Sequence, residues 1–344
     1  MQSDIFINTI GCHAAGEVGE VIISGVPEPS GSTVWQKSRF LENNNELRSL
    51  LLHEPRGGLH KHMNLLLPPV NEKADFGWVI MEPEYNPPMS GSNAICVITV
   101  ILETGMLAIE EPFKDVILEA PGGLLKARAH CQNGKVNRVE IENLPSFVYK
   151  RNVTLEIPKI GSFKVNIVFG GDSFVLVEAR DFGFSISPDE ALDLVKIGKK
   201  ITSSANEQIG FNHPVISGWE HISFCQFTLP TFNDEQGRVV GKNTVVIEPG
   251  KLDRSPCGTG CSARMALLHE EGKLKKSQTF LGKSILDTEF ECRIMNLTKI
   301  GDNNGITPMI AGNAWITGHH TYLRDSGDPF QKGYRLSDTW PKSS

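Results

Sequence analysis

Short runs rich in Val, Ile and Phe recur along the chain, and polar residues separate them. Gly, Pro or Asn bounds most of these runs, as is typical of β-strands. Clear examples are 21–24, 77–81, 163–169, 173–177 and 244–248. The pattern therefore predicts a strand-rich fold that includes few helices.

Three segments have the features of helices. The first, 91–104, has an apolar body and is followed by Gly105, and the third, 258–271, includes Gly260 at its start and is followed by Gly272. Glycine commonly terminates helices. In the second, Ser187 is a candidate N-cap, with Asp189 and Glu190 in the first turn. The predicted helices are 91–104, 185–201 and 258–271.

The first and third of these helices resemble each other at an offset of 167 residues. Ser90 then aligns with Cys257, and the Gly91-Ser92 pair aligns with Gly258-Thr259. A chance match of glycine-rich helix starts is the alternative explanation. A true duplication predicts two similar halves, each with strands around one buried helix, and a boundary near residues 143–150.

Composition and charge exclude several classes of protein. The 344 residues carry a net charge of -6 and contain no dense run of Lys and Arg, which argues against nucleic-acid and anionic-membrane partners. No apolar run is long enough to span a bilayer, and residues 1–10 do not resemble a signal peptide. The seven scattered cysteines do not form a disulfide framework. We expect a cytoplasmic protein.

The segment 256–260, Pro-Cys-Gly-Thr-Gly, has the chemistry of an anion site at a helix start. The backbone N–H groups of Gly258 and Thr259 would attract a carboxylate. The same field is expected to stabilise the thiolate of Cys257 and to lower its pKa. One short segment can therefore bind a carboxylate and hold a base beside the carbon that carries it.

The matching segment 89–93 has Ser90 in place of the cysteine, followed by three candidate substrate-binding residues, Gly91, Ser92 and Asn93. If the two halves face each other, Ser90 and Cys257 flank opposite faces of a substrate α-carbon. Asp253 is a candidate to bind the substrate nitrogen or to orient the thiol. This arrangement suits removal of an α-proton, followed by reprotonation or by loss of a β-substituent.

Structural roles are the alternative for each of these residues. Cys257 could be an inert core thiol or half of a redox pair with Cys261, and Ser90 could be a simple N-cap. Asp253 and Arg254 could form an exposed ion pair. The histidine pairs of the chain lack the ligand spacing of a metal site, so no metal is expected.

These motifs resemble those of the proline racemase family. Residues 253–260 and 262–264 resemble its second catalytic motif, and 89–95 its first. Further similar segments are 13–17, 54–57 and 74–77. The resemblance implies the α/β (α+β) fold of diaminopimelate epimerase, with two pseudo-symmetric halves, each a curved mixed sheet around a central helix. It implies halves at 1–146 and 147–320, a segment 321–344 that joins the first half, and an active site in the cleft between them.

The resemblance also implies a cofactor-independent enzyme that acts on a small cyclic amino acid. Racemases and epimerases of this family have two cysteines, whereas this chain has Ser90 and Cys257. A serine hydroxyl is poorly matched to two-way proton exchange, so dehydration of trans-3-hydroxy-L-proline is favoured. The alternative is 4-hydroxyproline 2-epimerase, alone or beside the dehydratase. An inactive carboxylate-binding homologue ranks below both. The expected partner is the substrate alone, in a monomer or homodimer.

Overall fold

A computed structural model describes residues 3–341 of the chain. Its α-helices are α1 Val34–Asn43, α2 Glu46–Leu52, α3 Gly91–Glu103, α4 Ala191–Gln208 and α5 Gly258–Glu270. Its strands are β1 Ser3–Ala14, β2 Glu17–Ser24, β3 Lys61–Leu67, β4 Phe76–Met81, β5 Phe113–Ala120, β6 Gly123–Gln132, β7 Lys135–Glu142, β8 Ser146–Ile157, β9 Gly161–Phe169, β10 Ser173–Glu178, β11 Phe224–Thr228, β12 Phe232–Asn233, β13 Val239–Ile247, β14 Lys251–Leu252, β15 Thr279–Lys283, β16 Glu289–Ile300, β17 Asn303–Gly312 and β18 Ala314–Asp325. Short 3₁₀ helices span Ala179–Phe182 and Pro188–Glu190.

The chain divides into two compact units. The first unit contains the residues up to Ile141 and resumes at Gly312, whereas the second is the continuous stretch Glu142–Ala311. Strand β18 follows the second unit in the chain but pairs along its length with β1 of the first. Of the expected joining segment 321–344, residues 342–344 lie outside the described part.

In the first unit, neighbouring strands pair in the order β18-β1-β2-β3-β4-β5-β6. The pairs β2/β3 and β4/β5 are parallel and the others antiparallel. Parallel neighbours need a crossover connection, and helices α1 with α2, and then α3, lie in these two connections. Helix α3 packs on β1, β2, β3 and β18 and is buried from Gly91 to Leu102.

The two faces of strand β3 differ, since one carries apolar side chains and the other polar ones. Met63 and Leu65 belong to a core cluster with Leu50 and Leu51 of the outer helix α2. Side chains alternate along a strand, so residues 62 and 64 face the other way. There Asn64 makes a hydrogen bond to Asn93 of α3. The side of β3 that faces the central helix therefore carries polar groups.

The second unit repeats this arrangement as a closed ring of strands. The pairing order is β8-β9-β10-β11-β13-β15-β16-β17, and β17 returns to β8. Helix α5 packs on β8, β9, β10 and β16 and is buried from Gly258 to Leu268. Helix α4 lies in the parallel crossover from β10 to β11. Helices α1 and α2 occupy the corresponding crossover of the first unit, between the parallel strands β2 and β3.

The two units have the same sequence of strand pairings. From β1 to β6 the pairs are antiparallel, parallel, antiparallel, parallel and antiparallel. The series β9, β10, β11, β13, β15 and β16 gives the same succession. The predicted fold class, two pseudo-symmetric α/β halves around central helices, is confirmed.

The helix predictions were right for the central helices and incomplete elsewhere. α3 and α5 begin at the predicted residues. The predicted helix 185–201 forms later: Ser187 caps a 3₁₀ turn, and α4 runs on to Gln208. Helices α1 and α2 were missed, because α2 has only seven residues and neither has a strong terminal stop signal. Among residues 3–341, no helix has the length and apolarity required to cross a membrane.

Gly170 tests how closely the sheet of the second unit approaches α5. A Cβ placed on it would lie 2.2 Å from the Thr259 carbonyl oxygen and 2.4 Å from the Ala263 amide nitrogen. Both atoms belong to helix backbone and cannot move aside easily. Gly170→Ala should lower the free energy of unfolding in urea by about 2 kcal/mol. In the control Gly58→Ala, the new methyl group meets only the flexible ring of His60, at 3.1 Å, and stability should stay within about 0.5 kcal/mol of the parent.

Candidate active site

Ser90 occupies the N-cap position of the buried helix α3. Its backbone is extended, with φ -145° and ψ 121°, and its side chain makes no capping hydrogen bond to the first turn. The side chain is 8% exposed. The simple N-cap interpretation of Ser90 is therefore wrong, because the hydroxyl does not perform the capping function.

A chain of side-chain hydrogen bonds leads to Ser90 Oγ from the sheet. Asn93 Nδ2 donates to Ser90 Oγ at 2.8 Å and also lies 3.0 Å from His62 Nδ1. Asn64 Nδ2 donates to Asn93 Oδ1 at 2.7 Å, and Trp78 Nε1 donates to Asn64 Oδ1 at 2.9 Å. These side chains are all buried. Ser90 Oγ thus receives a hydrogen bond from a rigid, solvent-excluded amide.

Cys257 occupies the N-cap position of α5 in an unusual conformation. Its φ of 61° and ψ of 102° lie where side-chain-bearing residues are rare, and such positions cost about 1–3 kcal/mol. Strain of this kind is common at functional sites. The Sγ atom accepts a hydrogen bond from the Gly260 N–H at 3.3 Å and lies 3.6 Å from Thr259 Oγ1. The helix start thus provides donors directly to the sulfur.

Asp253 organises the loop that leads to Cys257. Its Oδ1 accepts hydrogen bonds from Ser255 N and from Ser255 Oγ, both at 2.8 Å. Ser255 Oγ in turn accepts from the Cys257 N–H at 3.0 Å. Asp253 is 5% exposed, so its carboxylate is buried rather than at the surface. The carboxylate and the thiol are parts of one buried loop.

The expected low pKa of Cys257 is wrong. Burial raises the pKa of this thiol well above its usual value, and the negative charge of Asp253 raises it further. The hydrogen bonds from Thr259 and Gly260 lower it, as the helix-start argument required, but burial outweighs them. At neutral pH the thiol is therefore protonated and can act first as an acid.

The structure groups the predicted site residues by unit. Ser90, Gly91, Ser92 and Asn93 lie together in the buried start of α3. Cys257, Gly258, Thr259 and Asp253 lie together around the start of α5. Cys261 Sγ donates to the Pro256 carbonyl at 3.3 Å. Within residues 3–341 no cluster of His, Cys, Asp and Glu could hold a metal ion.

Sequence reasoning missed the residues beneath these helix starts, namely His62, Asn64, Trp78 and Ser255. For His62 and Asn64 a signal existed in the sequence. His62 and Asn64 alternate with Met63 and Leu65, so two polar residues share one face of a strand whose other face is apolar. A buried polar face of this kind calls for partners. Trp78, on the adjacent strand β4, provides one of them.

The comparisons with known proteins agree with this geometry. The family model described as proline racemase matches residues 9–335. The chain belongs to the proline racemase family. The predicted resemblance is therefore confirmed.

Two solved structures of this family cover nearly the whole chain. A hydroxyproline epimerase from Agrobacterium vitis with bound trans-4-hydroxy-L-proline is 34% identical, with a TM-score of 0.93 over 100% of this chain and 99% of that one. A probable proline racemase from Agrobacterium radiobacter K84 with bound carbonate is also 34% identical, with a TM-score of 0.92 over 98% of both chains. They support an amino-acid racemase or epimerase type of enzyme.

A more distant likeness supports the fold alone. A phenazine biosynthesis protein from Bacillus anthracis is 12% identical, with a TM-score of 0.55 over 92% of this chain and 98% of that chain. The predicted diaminopimelate epimerase-like fold agrees with this relationship. Enzymes of different activities can share one fold, so chemistry must be argued from the site.

The opposing influences on the pKa of Cys257 can be separated by substitution. Asp253→Asn removes a charge that raises the pKa of the thiol, so thiolate should form at lower pH. Thr259→Val removes a hydrogen bond that lowers this pKa, so thiolate should form at higher pH. The measurement is the pH dependence of iodoacetamide labelling at Cys257, followed by mass spectrometry of its peptide. Shifts in the same direction for both variants would contradict this electrostatic account.

Proposed function

We propose that this proline racemase family member inverts C2 of 4-hydroxyproline, with Ser90 and Cys257 as the acid–base pair on opposite faces of the α-carbon. The observation that carries this proposal is that both reactive atoms accept a hydrogen bond, Ser90 Oγ from Asn93 and Cys257 Sγ from Gly260. Such donors stabilise the charge that each atom bears after it gives up a proton. The epimerase from A. vitis, with its bound trans-4-hydroxy-L-proline, supports the choice of substrate.

The helix starts also suit the substrate carboxylate. Both are buried N-termini, and a carboxylate that accepts their N–H groups would be fixed without a metal. The Ser90 side chain does not cap its own helix, which is compatible with a ligand using those donors. Gly91, Ser92, Gly258 and Thr259 are therefore proposed as carboxylate contacts.

Each direction of epimerisation transfers one proton away from carbon and one onto it. With the L-epimer, Ser90 Oγ takes the α-proton as an alkoxide and becomes a hydroxyl, the C–H electron pair passes into the enolised carboxylate, and the Cys257 thiol protonates the other face and becomes a thiolate. With the D-epimer, the Cys257 thiolate takes the proton and the Ser90 hydroxyl donates one. The enzyme must therefore exist in two protonation states, one for each epimer.

Substrate binding can itself activate Cys257. Asp253 raises the pKa of the thiol through its negative charge. A substrate ammonium that pairs with Asp253 would neutralise this effect and place a positive charge near the sulfur. The base on this face would then be formed only when an amino acid is bound. This proposal gives Asp253 the first of its two candidate roles, that of a partner for the substrate nitrogen.

Dehydration of trans-3-hydroxy-L-proline is the second candidate function, and the sequence alone ranks it first. The observation that favours it is the identity of residue 90, because serine is a weaker partner than cysteine for two-way exchange. In this substrate the hydroxyl and the α-hydrogen lie on the same face. Ser90 Oγ alone could take the α-proton and pass it to the 3-hydroxyl, which then leaves as water. The family relationship supports epimerisation at least as well, and we rank epimerisation first.

Other expectations stay predictions. A cytoplasmic location, a monomer or homodimer, and the absence of a cofactor belong to this group. An inactive carboxylate-binding protein would bind pyrrole-2-carboxylate without turnover, and a redox protein using Cys257 and Cys261 would lose its redox response in Cys257→Ser while any catalysis survived. The assays below distinguish both from an epimerase.

The proposed activity is tested by incubating the purified protein with trans-4-hydroxy-L-proline in D₂O. Chiral chromatography should show cis-4-hydroxy-D-proline, and NMR should show deuterium at C2 of the product. Dehydration is tested in parallel with trans-3-hydroxy-L-proline, a pyrroline-2-carboxylate reductase and reduced nicotinamide. Nucleotide oxidation without any C2 inversion of 4-hydroxyproline would reverse the ranking of the two functions.

Two variants separate the functions mechanistically. Ser90→Ala should abolish both reactions, because both need the group that takes the proton of the L-epimer. Cys257→Ser should lower epimerisation by at least about 100-fold but affect dehydration much less, since the elimination uses one face only. Initial rates of both assays are the measurement. Equal losses of both activities in Cys257→Ser would count against the one-face elimination.

A further inference from the structure

A series of side-chain hydrogen bonds runs from Trp78 to Ser90. Trp78 determines which atom donates and which accepts at each step of this series. An indole N–H can only donate, so Asn64 must turn its Oδ1 toward Trp78. The amide nitrogen of Asn64 then faces Asn93 and also donates to the Glu20 carbonyl at 3.3 Å. Asn93 must accept with its Oδ1, which leaves its nitrogen for Ser90 Oγ.

We infer that Trp78 and Asn64 are positioning residues, which hold Asn93 as a hydrogen-bond donor on Ser90 and so enable this hydroxyl to exchange a proton with the substrate α-carbon. This inference rests on the proposed function of Ser90. It also gives Asn93 a role different from the substrate contact that the sequence predicts. Its amide is engaged by Ser90, Asn64 and His62.

The chemical need for such a donor arises when Ser90 gives its proton to carbon. The O–H bond breaks, a C–H bond forms, and the electron pair stays on Oγ as an alkoxide. A free alkoxide is far too basic to form at neutral pH, but a buried N–H aimed at the oxygen stabilises the charge as it develops. The reverse transfer, from the L-epimer to Ser90, passes through the same hydrogen-bonded species.

His62 holds the same orientation from another side. Its Nδ1 lies 3.0 Å from Asn93 Nδ2, so with Asn93 donating, Nδ1 must accept. The ring proton then resides on Nε2, which lies 3.4 Å from Glu17 Oε1. The second N–H of Asn93 is thereby used, and rotation of its amide would break contacts to both Ser90 and His62.

Burial makes this orientation costly to reverse. Asn93 is 1% exposed, and Asn64 and Trp78 are fully buried. Leaving a buried donor or acceptor unsatisfied costs about 1–3 kcal/mol, and a flipped amide creates more than one mismatch. Gly19 allows the close packing, because a Cβ there would lie 2.6 Å from Asn93 Oδ1 and 3.2 Å from Asn64 Nδ2.

Asn64→Asp tests the inference while keeping the shape of the side chain. Its carboxylate can accept from Trp78 but cannot donate to Asn93, so Asn93 should rotate and present its oxygen to Ser90. Loss of a donor to a developing oxyanion should reduce kcat for epimerisation by about 10- to 100-fold, with KM nearly unchanged. Trp78→Phe retains all charges and should reduce kcat by about 5-fold, because only the orienting hydrogen bond is lost.

Trp340→Phe is the matched control. It removes an indole N–H of the same unit, which donates to Glu84 Oε1 at 3.1 Å, and it should leave kcat at the wild-type value. Thermal melts establish that each variant is folded. If Asn64→Asp does not fold, Trp78→Phe decides the matter, and wild-type kcat in that variant overturns the inference.

Isotope effects distinguish slower proton transfer by Ser90 from a general structural defect. When the Ser90 transfer becomes rate-limiting, the deuterium isotope effect should rise with C2-deuterated L-epimer and fall with C2-deuterated D-epimer, whose proton Cys257 takes. Labelling of Cys257 by iodoacetamide should be unchanged. Slower turnover with unaltered isotope effects, or wild-type kcat in a folded Asn64→Asp, would refute the positioning role. A wild-type enzyme without any C2 exchange would instead refute the proposed function.

Discussion

A helix N-terminus buried inside a sheet is the constraint on which this structure depends. Its backbone N–H groups cannot reach bulk water, so side chains or a ligand must meet them. In α5 the sulfur of Cys257 accepts one of these groups, from Gly260. In α3 the N-cap hydroxyl makes no such bond. The enclosing strands, and the glycines that let them approach, keep both helix ends away from solvent.

The two helix starts share a framework but differ chemically. Cys257 has a positive φ of 61° and receives its hydrogen bond from its own helix. Ser90 is extended and receives its hydrogen bond from a side chain supported by the sheet. A thiol is intrinsically a stronger acid than a hydroxyl, so the hydroxyl has the greater need of a dedicated donor. The buried hydrogen-bonded side chains under α3, Asn93, Asn64 and Trp78, therefore lie beside Ser90, the weaker acid of the pair.

Local sequence patterns predicted much of the architecture and located the two helix starts that carry Ser90 and Cys257. The starts of α3 and α5 carry their own signals, in glycines and in the offset between Ser90 and Cys257. The pKa of Cys257 was mispredicted, because helix donors are visible in sequence whereas burial and the approach of Asp253 are not. The Trp78–Asn64–Asn93 chain was also out of reach, since strands distant in sequence bring it together.

The pairing of β18 with β1 has a consequence for how the protein is made. Strand β1 is synthesised first, yet its partner emerges only after the whole second unit, Glu142–Ala311, has been translated. At about 5–20 residues per second, that interval is roughly 10–30 s. The second unit has all its strands in one continuous stretch and can complete its fold on the ribosome. The first unit must wait with an exposed sheet edge, so chaperone dependence during biosynthesis should concentrate there.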